Sequence, residues 1–231
     1  MGPRPRVKRD EITGEPLPVG EEEPEVVVYA SIEYPLEGRP RTLMLQGPAM
    51  TPRPSVGFVA YHRGIAVNDF RYLTPLQTLE LDWEDPWYSA FERRALRRSY
   101  FAPMSGFIYV EPYEVRKEII VRPLDLQRWV DLGLDGSETI PVEIQPELTR
   151  RAAAFLRERH KVVIDGREIV PDLARINFLE RTLRTSRVIE PPRELDVYSA
   201  ILGAIFVYPT ESLPQKVSMD WDLFDERIQL V

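Results

Sequence analysis

The side chains able to do chemistry in this chain gather in two acidic-aromatic clusters. One is Asp82-Trp83-Glu84-Asp85-Pro86-Trp87-Tyr88, and the other is Asp220-Trp221-Asp222-Leu223-Phe224-Asp225-Glu226. Carboxylate oxygens are hard ligands, so Asp82, Glu84, Asp85, Asp220 and Asp222 are the positions that calcium would suit. Neither cluster has the D-x-[DN]-x-[DN]-G spacing of a calcium loop, and no glycine turns the chain there. Calcium is thus the one ion to consider, and no other cofactor is expected. Trp83, Trp87 and Tyr88 would offer a platform for a sugar ring if exposed and coplanar, the chemistry of a carbohydrate-binding sandwich. Against that, the alternations L-E-L-D-W and V-S-M-D-W put each tryptophan on the face of its apolar neighbours, the pattern of a core aromatic.

Catalytic motifs are missing. There are two histidines, His62 after a strand and His160 at the end of a helix, where a partly positive imidazole suits the helix dipole. Neither has an H-x-E or H-x-x-x-H neighbour. G-x-S-x-G, G-x-x-x-x-G-K-[ST] and G-x-G-x-x-G are all absent. The lack of cysteine excludes disulfides, thiolate metal sites and cysteine nucleophiles. A pair of separated carboxylates needs no local motif and is the one catalytic arrangement left open; otherwise a non-catalytic protein is expected. The stretch FERRALRRSYF sets Arg93, Arg94, Arg97 and Arg98 beside Tyr100 and Phe101, a pattern able to meet phosphates and bases. The chain's net charge is -7, with 30 basic against 37 acidic residues, and no second basic stripe supports a nucleic-acid partner.

The elements that hold these residues read mainly as β. At 231 residues the chain can bury a sizeable core. Its 22 prolines and 12 glycines imply stiff, proline-punctuated connections. Strands are predicted at about ten-residue spacing from EVVVYASIEY through PLQTLELDW, then at GFIYV, YEVRKEIIV, ARINFLERT, VYSAILGAIFVY and KVSMDWDLF. That spacing fits an antiparallel sandwich rather than βαβ units. Asp165-Gly166 between two apolar runs predicts a tight hairpin. Helices are predicted at 85–98, 123–132 and 146–160. In the first, Trp87, Phe91 and Ala95 share a face and the four arginines complement the C-terminal dipole end. The last opens on Pro146, with Leu148, Ala152, Phe155 and Leu156 forming its apolar face. The strand VYSAILGAIFVY is too continuously apolar for a sheet with one wet face, so both its faces should be covered.

Organisation follows from a repeated pattern. Tyr34-Pro35-Leu36-Glu37-Gly38-Arg39-Pro40 precedes Leu43 and Leu45, and Tyr208-Pro209-Thr210-Glu211-Ser212-Leu213-Pro214 precedes Val217 and Met219. Read as two copies of one proline-edged hairpin, they divide the chain into an extended charged tail (1–24), a sandwich-like unit (25–122), a short helix and linker (123–136) and a second β-rich unit (137–231). The second copy, running on into V-S-M-D-W-D-L-F, resembles soluble β-rich regions of uncharacterised bacterial envelope proteins that also carry membrane spans. The resemblance covers about the last fifth of the chain. It implies an extracytoplasmic, envelope-associated place, although the basic start MGPRPRVKRDE has no apolar stretch behind it to act as a secretory signal. No run approaches the roughly 18 apolar residues of a span, so no membrane insertion by this chain is expected. The abrupt end at Ile228-Gln229-Leu230-Val231 suits a segment of something longer. The expected function is a protein-interaction domain whose partners are other subunits of an assembly.

Overall fold

The computed structural model describes residues 2–8, 16–18, 26–48, 55–73, 76–99, 102–181 and 186–228. The acidic run Glu21-Glu22-Glu23, Tyr100, Phe101 and the last three residues lie outside them. Strand dominates, in several antiparallel sheets with two α-helices, and among the described residues no sheet closes into a barrel.

Along the chain, β1 (Gly2–Pro5) pairs with β2 (Val26–Tyr29) as an isolated ribbon. Next come β3 (Thr42–Gln46), β4 (Gly57–Phe58), β5 (Tyr61–His62), β6 (Ile65–Ala66), β7 (Arg71–Tyr72), β8 (Leu76–Glu80) and β9 (Ala90–Phe91). Here β3, β8 and β9 make a three-stranded sheet, while β4–β7 and β5–β6 nest as one interrupted hairpin turning at Arg63-Gly64. Their small core is Val67, Leu79, Phe91 and Leu96, with Leu43, Leu45 and Phe58 packed against it.

The larger body follows. It holds β10 (Met104–Glu111), β11 (Glu114–Val121), α1 (Pro123–Leu126), β12 (Thr139–Ile140), α2 (Gln145–Glu158), β13 (Val162–Ile164), β14 (Arg167–Glu168), β15 (Asp172–Arg181), β16 (Ser186–Val188), β17 (Leu195–Asp196), β18 (Leu202–Pro209) and β19 (Val217–Met219). Five strands form one sheet in the order β10-β11-β18-β15-β16, and β14-β13-β19 form a second. The main core gathers Val115, Ile119, Leu126, Leu148, Leu156, Phe206 and their neighbours from both sheets and α2. β18 is the central strand: Leu202, Ala204, Phe206 and Tyr208 are buried on one face, and Gly203 is buried against Leu179 on the other. Ile205 and Val207 on that second face are half-buried, so its cover is partial. Asp165 and Gly166 turn with φ of 48° and 82°, and Ile164 pairs with Arg167, so the predicted tight hairpin forms.

Several expectations are corrected. The helix at 85–98 is instead two single turns of 3-10 helix, Pro86–Tyr88 and Arg94–Leu96, on either side of β9. Phe91 is fully buried opposite Leu79, so the backbone there completes a sheet ladder that a helix would forfeit. The helix expected over 123–132 is α-helical only from Pro123 to Leu126. Neither Y-P-x-E-x-x-P copy is a hairpin. The strands on either side of each belong to different sheets: β2 and β3 in one case, β18 and β19 in the other. Proline at both edges fixes a crossing between layers. The tail expected over 1–24 contributes β1, and the five-stranded sheet does not follow the division at 122–137, because it draws β10 and β11 from before it and β15, β16 and β18 from after it.

Candidate functional site

Three places gather the residues with chemical potential: a buried ionic knot, a histidine stack, and an exposed apolar arm. The knot forms where the 82–98 loop meets the end of β11. Arg122 has no exposed side-chain surface; its Nη2 donates to Asp85 Oδ2 at 2.8 Å, and its Nε pairs with Asp125 Oδ2 at 3.0 Å. The Asp85 Oδ1 accepts from the Trp87 N–H and caps the first 3-10 turn. The Tyr88 hydroxyl donates to Asp125 Oδ1 at 3.0 Å. Trp87 lies against two guanidiniums, Arg98 at 4.4 Å and Arg122 at 4.8 Å from its ring centroid. Burial, with Arg122 nearby, pushes Arg98 down to about 10, and burial raises Asp125 against the pull of Arg122. Two carboxylates thus meet the fully buried Arg122, which fastens the small sheet to the large one.

Trp83 stands apart from this. Its indole N–H donates to Pro40 O at 2.8 Å, and His62 meets it edge-on at 4.5 Å. His62 Nδ1 and Ser89 Oγ are 2.7 Å apart, the contact of a serine-histidine pair. Ser89 is 1% exposed and its oxygen also accepts from the Asp82 N–H. Burial, followed by the charge of Arg63, lowers the pKa of His62. Trp83 thus meets His62, while Trp87 and Tyr88 both lie beside Arg122, at 4.8 and 5.8 Å from their ring centroids.

Three of the acidic residues are engaged. Asp82 Oδ1 accepts from the N–H groups of Glu84 and Asp85, Asp85 holds Arg122, and Asp222 pairs with Arg159 at 2.6 Å. Asp82, Glu84 and Asp85 follow β8 of one sheet, while Asp220 and Asp222 follow β19 of another. Among the described residues no group of three or more His, Asp or Glu could hold a metal ion.

The histidine stack lies under the far end of the large sheet. His160 follows α2 with φ of 55°, and its ring lies flat on Trp221, 3.8 Å between centroids and 4° between planes. Neither ring nitrogen has a hydrogen-bond partner. Burial, then the charge of Lys117, pushes His160 down to about 4. This corrects the role expected at the helix end, for the imidazole is neutral and the dipole's cation is Lys117. That side chain is fully buried and rises from β11 to donate to the carbonyls of Arg159 and His160, each at 3.2 Å. Burial pushes its ammonium down to about 8. The sequence carried a signal for it, since Lys117 falls in phase with inward-facing Val115, Ile119 and Val121. For Arg122 the local signal was Asp125, three residues on, while Asp85 comes from a distant segment.

The arm is the third place. Val26, Val28, Tyr29, Ile32, Tyr34 and Leu36 are all exposed along one extended stretch, Val28 at 74% and Tyr34 at 78%. The strand β2 is exposed on both faces and pairs with β1. A two-stranded ribbon is marginal by itself in water, and the β2 side chains of this one are all exposed. Among the described residues no helix is long and apolar enough to cross a membrane. Compared with known proteins, the chain matches no family model, no curated protein and no solved structure.

Proposed function

We propose that this chain is a protein-interaction domain that joins an assembly through the arm at residues 26–36. The observation that carries the reading is the run of exposed valine, isoleucine, leucine and tyrosine on a strand covered on neither face. Leaving such a stretch in water forfeits the transfer free energy of each side chain, and contiguous apolar surface of this kind marks contact with other proteins. The rings of Trp83, Trp87 and Tyr88 and the ions around Arg122 and Lys117 support the same reading from the other side. They are spent on holding the scaffold and give the arm a rigid base.

The test is photo-crosslinking in the protein's native cells, with a photoreactive residue at Val28 or Tyr34 and a control on the exposed face of α2 at Arg150. Discrete adducts from the arm and none from Arg150 are expected. Absence of any arm-specific adduct removes the reading.

A further inference from the structure

We infer that residues 220–228 form a proton-sensitive strap, in which the seating of Trp221 and the charging of His160 exclude each other. Acid then lifts the strap from the large sheet while the sheet itself stays folded. The inference goes beyond the docking arm and rests on how the strap is held.

The strap leaves β19, where the Asp220 N–H still donates to Lys161 O at 3.2 Å. Among the described residues no strand follows β19. Instead the backbone turns on itself: Asp225 Oδ1 accepts from the N–H groups of Arg227 and Ile228, and the Asp225 N–H donates to Ile228 O. Side chains make the attachment to the body. Leu223 and Ile228 are buried, Asp222 pairs with Arg159, and Asp225 pairs with Arg128 at 2.8 Å. Trp221 lies flat on His160, and so close over Gly106 of β10 that an added Cβ would come within 2.6 Å of its ring. Alternation puts Met104 and Ile108 on the same face as Gly106, and both take part in the packing of the main core. Trp221 therefore covers an apolar face. A segment held by side chains can part from a sheet without breaking its ladder, which makes it a unit of local opening.

His160 is the weak point of that cover. Its ring is 3% exposed and neither nitrogen has a hydrogen-bond partner, so an imidazolium formed in place would bury two unpaired donors. The charges around it oppose a proton too. Lys117 faces it from β11 and Arg159 from the end of α2, while Asp222 of the strap is the nearby anion and already pairs with Arg159. Lys161, next in the chain, pairs with Glu168 at 3.0 Å, and β10 carries no charge from Met104 to Val110. An indole face attracts a cation. Burial and then Lys117 nevertheless push His160 down to about 4, so the opposing costs prevail. When Trp221 lifts, the ring gains water and returns toward 6.5. The closed strap is thus favoured above pH 6.5, and that preference is lost as pH falls through 4. The opening constant rises about 300-fold over the full range and about 100-fold between pH 7 and pH 4.

The test uses the full chain, which lacks cysteine. Leu223→Cys places a single thiol on the buried side of the strap, where an aromatic disulfide reagent active at acid pH labels it only on opening. Its labelling rate is divided, at each pH, by that of an unstructured peptide bearing the same thiol. The quotient is expected to rise about 100-fold from pH 7 to pH 4. In chains that also carry His160→Phe or His160→Asn, neither of which titrates, the rise should fall below about tenfold. Asparagine also tolerates the φ of 55° at that position. Ala204→Cys in β18 reports opening of the whole fold and should label far more slowly than Leu223→Cys at every pH. A rise below about tenfold with His160 in place overturns the inference. So does a rise of about tenfold or more in either His160 variant that keeps the circular dichroism spectrum of its parent. Labelling of Leu223→Cys no faster than Ala204→Cys also overturns it, because the opening would then be global.

Discussion

Acid should loosen this fold through His160, and the size of the effect follows from its surroundings. The ring is 3% exposed, stacked on Trp221, and faces the ammonium of Lys117 with Arg159 and Asp222 close by. Its folded pKa is about 4 against 6.5 unfolded. Between those values the unfolded chain binds the proton and the native chain does not, so stability rises with pH there. The contribution is fully present above pH 6.5 and is lost as pH falls through 4. At 1.36 kcal/mol per unit, the loss is about 3 kcal/mol, a large share of an ordinary domain's stability. The assay is urea denaturation from pH 4 to 8 on the wild type and on His160→Phe, which keeps a flat ring over Trp221 but cannot titrate. Strain from a non-glycine φ of 55° is common to both. The two stability curves should run parallel above pH 7 and converge or cross as the pH falls, the wild type losing more. Curves parallel down to pH 4 would refute the argument.

Other perturbations test other parts of the scaffold. Arg122→Leu leaves Asp85 and Asp125 buried without their cation and should cost about 3–5 kcal/mol in urea denaturation, with part recovered by adding Asp85→Asn and Asp125→Asn. Burial holds the Lys117 pKa at about 8, below its unfolded 10.5, so the unfolded chain binds more protons between those values. Wild-type stability should therefore gain from this group as pH rises from 8 to 10.5, a slope that Lys117→Met abolishes. Gly106→Ala places a Cβ 2.6 Å from the Trp221 ring and should cost about 1–3 kcal/mol, with a change in tryptophan fluorescence.

Local pattern was legible where local pattern decides the structure. Alternation located β8, a continuous apolar run located β18, the Asp165-Gly166 pair located its turn, and Pro146 with Leu148, Ala152 and Leu156 located α2. Residues 85–98 misled because Trp87, Phe91 and Ala95 have helical spacing, while the burial of Phe91 opposite Leu79 is a tertiary contact that spacing does not encode. The two proline-edged repeats were visible as sequence, but whether a strand folds back on its predecessor or crosses to another layer depends on β11, β13 and β15, which lie far away in the chain. Trp87, read on a helix face with Phe91 and Ala95, instead lies beside guanidiniums that come from positions 98 and 122. Exposure of the arm was hidden altogether, since EVVVYASIEY reads like any buried strand.

The central claim is that this exposed strand is a contact surface, and amide hydrogen exchange over residues 26–36 measures that directly. Exchange is compared between the assembled protein isolated from its own cells and the same chain separated from its partners. The account predicts slow exchange in the assembly and fast exchange in the separated chain, with the amides of β18 slow in both as an internal reference. Equally fast exchange of residues 26–36 in both preparations would contradict it.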